Sequence, residues 1–210
     1  MGDHLEDDMS DETEKNPTPF HIEPMPKGNF IHTGDLSNVI AQPGDDRRDI
    51  AAKVRGYVSR GYLIPVGRDQ DDKRGALLFD AASAVTAAAL VAAAAAGLSG
   101  KDHFQRIAMA FQSWSGQPGK DAPRCPAAFI FATFDPQGPA QGWGVELHTS
   151  RHVKTGRVAL HAAVKHGDNG YLGEGVVTVP DDHTPVATLL IPLDGLLPGI
   201  RANLRKRKMN

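Results

Sequence analysis

Eighteen consecutive residues, Ala81 to Leu98, carry no charge and are mostly alanine, and this run constrains the fold more than any other segment. Its length approaches the roughly 18–20 residues that an apolar helix needs to cross a bilayer. Alanine gains little on transfer to hydrocarbon, however, and the run contains Ser83 and Thr86. It is also embedded among polar segments rather than flanked by an interfacial aromatic belt. The physical reading is a buried helix, capped by Asp80 and ended by Gly97, and no membrane association is expected. Side chains this small let neighbouring backbones come close, which suits dense packing or a self-association surface.

The segments around this helix divide the chain. Residues 1–29 read as an acidic and Pro-punctuated tail: seven acids and no Lys or Arg fall within 1–14, and Pro17, Pro19, Pro24 and Pro26 follow. That tail solubilises the chain, mimics a nucleic-acid backbone or shields a basic surface. Its first residues have neither a basic n-region nor an apolar h-region, so no secretory signal is expected there. Cys125 is the single cysteine. An intrachain disulfide and a CxxC zinc site are thereby excluded, and a reducing, cytoplasmic setting is expected. The whole chain carries −2, but without the acidic head 18 acids face all 23 bases, about +5. This is well short of the balance of a protein that coats nucleic acid.

From Phe30 the pattern turns periodic. Thr33 is a candidate N-cap, and Leu36, Val39 and Ile40 share one helical face before Gln42-Pro43-Gly44 interrupts. Asp45 or Asp46 can cap a second helix that runs to about Gly61. There Ile50, Val54, Tyr57 and Val58 form an apolar stripe, while Arg48, Ala52, Arg55 and Ser59 fall on the opposite side. Tyr62–Val66 and Ala76–Phe79 are short apolar runs separated by the hydrophilic Gly67–Gly75, a hairpin with a long tip. The expected class is α+β: a winged helix-turn-helix head (30–98), a connector or dimerisation helix (99–118), a small antiparallel β-rich domain (119–200) and a basic tail (201–210).

The connector helix is expected to open with a Ser99/Asp102 capping box and to place Phe104, Ile107, Ala108, Phe111 and Trp114 along one stripe. Beyond it, Ala127–Phe134, Trp143–Thr149, Arg157–Lys165, Gly175–Val179 and Val186–Pro192 are candidate strands. The basic end, Arg201 to Lys208, either adds phosphate contacts or is a solvated terminus.

The run Val54-Arg-Gly-Tyr-Val-Ser-Arg-Gly-Tyr-Leu63 resembles the L-R-Y-Y-E-R-x-G-L-L pattern of MerR-family DNA-binding heads, and Gly75-Ala-Leu-Leu-Phe-Asp80 resembles that family's G-Y-R-x-Y-D. The resemblance covers about 50 residues, Ile31 to Asp80. It implies a transcriptional regulator, or a phage or mobile-element accessory factor, that binds double-stranded DNA as a homo-oligomer. The second helix would enter the major groove and the wing would follow the backbone. Carried over, Arg48 and Arg55 face DNA, Arg47 and Lys53 lie near its edges together with Ser59 on the same polar face, and Arg68, Lys73 and Arg74 supply the wing's charge. Arginine suits this role because its fork grips guanine or phosphate in bidentate fashion. The sequence departs from the family at Ala76, Leu77 and Gly56, and Asp69, Asp71 and Asp72 make the wing tip acidic. Between Phe30 and Asp80 eight bases meet eight acids, so affinity has to come from arrangement rather than total charge. The alternative is a helix-turn-helix that supports protein contacts in an assembly.

Other chemistry is sparse. His148 and His152 are four apart and His161 and His166 five apart, but in a strand context without clustered Asp, Glu or Cys no metal site is expected. No nucleophile elbow, phosphate loop or dinucleotide fingerprint occurs, so neither an enzyme nor a cofactor is expected.

Overall fold

The computed structural model describes residues 30–72, 75–113, 123–167, 170–172 and 179–208. Among these the protein is an α+β structure of six helices and two antiparallel three-stranded sheets. The first sheet is assembled from β1 (Ile31–His32), β2 (Gly67–Arg68) and β3 (Leu77–Phe79), with β3 central. Between β1 and β2 lie α1 (Thr33–Ile40) and α2 (Arg47–Ser59). His32, not Thr33, is the N-cap of α1, so Thr33 is its first helical residue. α2 begins where expected: the Asp46 carboxylate accepts the Arg48 amide at 2.8 Å, satisfying a donor that the first turn leaves open. Its apolar stripe follows the 3.6-residue period, with Ile50, Val54 and Tyr57 buried and Val58 half-buried.

The alanine run is α3 (Ala81–Ala95), capped by Asp80, whose carboxylate accepts from the Ser83 amide and hydroxyl, both at 2.9 Å. Every residue from Ala82 to Leu90 is buried within the chain itself, so the small side chains serve dense packing. Among the described residues no helix is long and apolar enough to cross a membrane. α4 (Lys101–Gln112) buries Phe104, Ile107, Ala108 and Phe111. It opens at Gly100 without a side-chain cap, contrary to the Ser99/Asp102 capping box: the His103 imidazole takes the space there, and a Cβ on Gly100 would lie 2.5 Å from its Nδ1. Trp114 lies outside the described residues.

Two further expectations are corrected. Ala127–Phe134, expected as a strand, forms α5 (Pro126–Thr133). Pro126 suits a first helical turn, because its missing N–H is one the turn leaves unbonded anyway. The uniformly apolar run that follows has no period by which to tell strand from helix. Residues 201–208, expected as a basic tail, are the body of α6 (Leu197–Lys208). Its buried Leu197 and Ile200 and half-buried Leu204 recur at i, i+3 and i+7, an anchoring stripe among the cations.

The second sheet has the order β5-β4-β6, from β4 (Trp143–His152), β5 (Val158–His166) and β6 (His183–Pro192). Of the expected strand Gly175–Val179, residues 175–178 lie outside the described residues. Trp143, Val145, Val164 and Ile191 join the core residues of α1–α6 and of the first sheet in one hydrophobic cluster. α3 is at its centre.

Candidate functional site

The polar face of α2 follows from its period. With Ile50, Val54 and Tyr57 fixed inward, Arg48, Ala52, Arg55 and Ser59 are all exposed, spaced four, three and four residues apart along one side. Arg47 is exposed at the first turn. The Arg47, Arg48 and Arg55 side chains have no hydrogen bond or ion pair among the described residues. Lys53 differs: its ammonium sits 2.7 Å from the Asp49 carboxylate one turn back. The Ser59 hydroxyl donates to the Gly56 carbonyl at 3.0 Å. Arg68, on β2, donates to the Gly75 carbonyl at 3.2 Å and so closes the base of the hairpin tip. Lys73 and Arg74 lie outside the described residues.

The acids that balance these bases have local work. Asp45 accepts the Gln42 amide at 2.7 Å, Asp46 caps α2, and Asp69 accepts the Asp71 amide at 3.0 Å and faces His32 at 3.4 Å. The segment is neutral in sum, yet Arg47, Arg48 and Arg55 are exposed while several of its carboxylates turn back onto backbone amides.

α2 is held from within. The Tyr57 hydroxyl donates to the Leu90 carbonyl of α3 at 3.1 Å, and the Tyr57 and Tyr62 rings pack on Phe104 of α4 with centroids 5.6 and 6.0 Å away. Burial pushes the Tyr57 phenol up to about 12; the nearby Arg60 charge works against this and Asp49 adds to it.

A second polar cluster, absent from the sequence expectations, lies on one face of the β5-β4-β6 sheet. Glu146, in the central strand, is only 7% exposed. Its carboxylate accepts from the Tyr171 hydroxyl at 2.5 Å and from the Lys165 ammonium at 3.1 Å, and lies 3.0 Å from His148 Nε2. Burial alone would raise its pKa. The hydrogen bonds from Tyr171 and Lys165 and the charges of Lys165 and His148 outweigh burial and hold the carboxyl below its usual range. The same Tyr171–Glu146 bond raises the Tyr171 phenol. His161 stands opposite His148 in register, and burial, with the charges of Arg106, His148 and His183, lowers its pKa. With both oxygens occupied, Glu146 is a structural anion rather than a free base. His166 is elsewhere, stacked on Trp143 at 3.9 Å, and among the described residues no group of His, Cys, Asp or Glu is arranged to hold a metal ion.

No protein-family model, curated protein or solved structure matches the chain.

Proposed function

We propose that this protein binds double-stranded DNA in a sequence-specific manner, with α2 in the major groove and the β2–β3 hairpin along the backbone. The carrying observation is the exposed row Arg48, Ala52, Arg55 and Ser59, whose two arginines have no partner among the described residues. An arginine fork left open on a helix is the chemistry that reads guanine edges or grips phosphate. The order β1-α1-α2-β2-β3 with sheet order β1-β3-β2 supports a winged helix-turn-helix head, the fold that the MerR-like residue pattern implies. A regulator of transcription, or an accessory factor of a phage or mobile element, is the corresponding role, with a homodimer reading two half-sites.

The test is duplex selection from a random pool with the full-length chain, followed by mobility shifts across a salt series. The wild type should select a consensus and lose affinity steeply with salt. Arg48→Ala and Arg55→Ala should each weaken the selected site by about 1–3 kcal/mol, fivefold or more, and relax one position of the consensus. An absence of duplex binding at low salt overturns the reading, as do both substitutions leaving affinity and consensus intact.

A further inference from the structure

α6 is antiparallel to α1, and its contacts fix which ends meet. A Cβ on Gly199 would lie 2.8 Å from the Gln42 side chain, just beyond the end of α1. The Asn203 amide donates to the carbonyls of Asn38 and Val39, at 3.3 and 3.1 Å. Arg207 forms a 2.9 Å ion pair with Asp35 in the first turn of α1. The last turns of α6 therefore lie beside the start of α1.

Four cations of α6, Arg201 and Arg205 to Arg207, divide into two sets. Arg201 is committed inward: it donates to the Phe131 carbonyl, and its guanidinium lies 5.0 Å from the centre of the Phe131 ring and 5.6 Å from that of Phe134. Arg207 is tied to Asp35. Arg205 and Lys206 are exposed and have no hydrogen bond or ion pair among the described residues. α6 has no acidic residue of its own to neutralise them.

We infer that Arg205 and Lys206 form a second phosphate-binding surface, on which α6 grips the DNA backbone next to the start of α1. This rests on the duplex-binding reading above. In a helix-turn-helix the first helix crosses the backbone while the second enters the groove, so cations carried by a helix laid along the first meet phosphates, not bases. Phosphate contacts of this kind set affinity and salt dependence and leave sequence preference alone. Exposed and without internal partners, the two side chains can be changed without disturbing the packing of α6.

The experiment measures duplex affinity between 50 and 200 mM salt for the full-length wild type, Arg205→Gln/Lys206→Gln, the charge-keeping Arg205→Lys/Lys206→Arg, and Arg55→Ala. Loss of two phosphate contacts should flatten the slope of log K against log salt by about 1.8, so that the fourfold rise in salt costs the wild type roughly 12 times more affinity than the double Gln variant. The consensus should stay the same, and the Lys/Arg swap should restore the slope. If the double Gln variant keeps the wild-type slope while Arg55→Ala weakens binding, the α6 surface is refuted and the α2 reading stands. If the wild type binds no duplex at low salt, both fall.

Discussion

Replacing Asp80 separates a helix cap from an ion pair at a single residue. Its Oδ1 accepts the Ser83 amide and hydroxyl at the start of α3, and its Oδ2 lies 2.5 Å from Nη2 of Arg124, just before α5. Losing an N-cap costs about 1 kcal/mol, and losing the negative charge at the helix N-terminus roughly 0.3–1 kcal/mol more. The Arg124 side chain is 55% exposed, which keeps the ion pair near the weak end, about 0.5 kcal/mol. Asp80→Ala should therefore lose about 2 kcal/mol, a fall in Tm of roughly 4–8 °C for a chain of this size. Asp80→Asn keeps an acceptor for Ser83 and gives up the charge, so it should lose about 1 kcal/mol. Arg124→Ala removes only the ion pair and should cost about 0.5 kcal/mol. Urea and thermal melts of the three variants supply the numbers. Asp80→Asn as damaging as Asp80→Ala, or Arg124→Ala matching either of them, would mean that the ion pair and not the cap holds the start of α3.

Two pH-linked predictions accompany it. Tyr57→Phe should cost about 1 kcal/mol through its lost bond to Leu90. Because the folded phenol ionises near 12, above its ordinary 10, the wild type keeps this contribution in full below pH 10 and loses it as pH rises toward 12. A titration of tyrosinate absorbance should show a smaller late component in the variant, where the raised Tyr171 phenol remains; equal titration of both proteins contradicts the assignment. Glu146→Gln leaves Lys165, Tyr171 and His148 facing a neutral amide and should cost about 1–3 kcal/mol at neutral pH. The folded carboxyl lies below its usual range, so its contribution is complete above the unfolded value of about 4.3 and fades as pH falls through the folded one. Urea midpoints measured down the acid limb should decline less in the variant, and parallel declines would exclude Glu146 as a source of acid sensitivity.

How far the sequence can be read depends on whether a segment's partners are local. α2 was legible because its apolar stripe repeats at the helical period and its cap, Asp46, is adjacent; α3 was legible through Asp80 and Gly97. The exposed arginine face of α2 follows from the same period. Lys53 and Arg68 share the chemistry of Arg48 and Arg55, yet one rotamer takes each to a local acceptor that no periodicity specifies. α5 was lost because Pro126–Thr133 is apolar on every side. α6 was lost because Pro198 and Gly199 look like punctuation and its basic residues obscure the spacing of Leu197, Ile200 and Leu204. The Glu146 cluster depends on partners 19 and 25 residues away, which meet only through strand register and the bridge between Lys165 and Tyr171.

These long-range contacts bear on the arginine face itself. A short helix is marginal alone, and α2 is held in its orientation by tertiary packing rather than propensity. Part of that packing is local, from α1 and from Leu90 of α3, and part comes from beyond residue 98: Phe104 of α4 supports the Tyr57 and Tyr62 rings, and the Gln112 amide donates to the Tyr62 carbonyl where the chain leaves α2. α1, against which α2 turns, is held by Asn203 and Arg207 of α6. Phe104, Ile107 and Phe111 each gain about 1.5–3 kcal/mol by burial, which fixes α4 in place beneath the two rings. The pitch and rotation at which Arg48 and Arg55 meet a ligand therefore depend on α4 and α6 as well as on α1 and α3. A change in α4 or α6 can alter binding without touching an arginine.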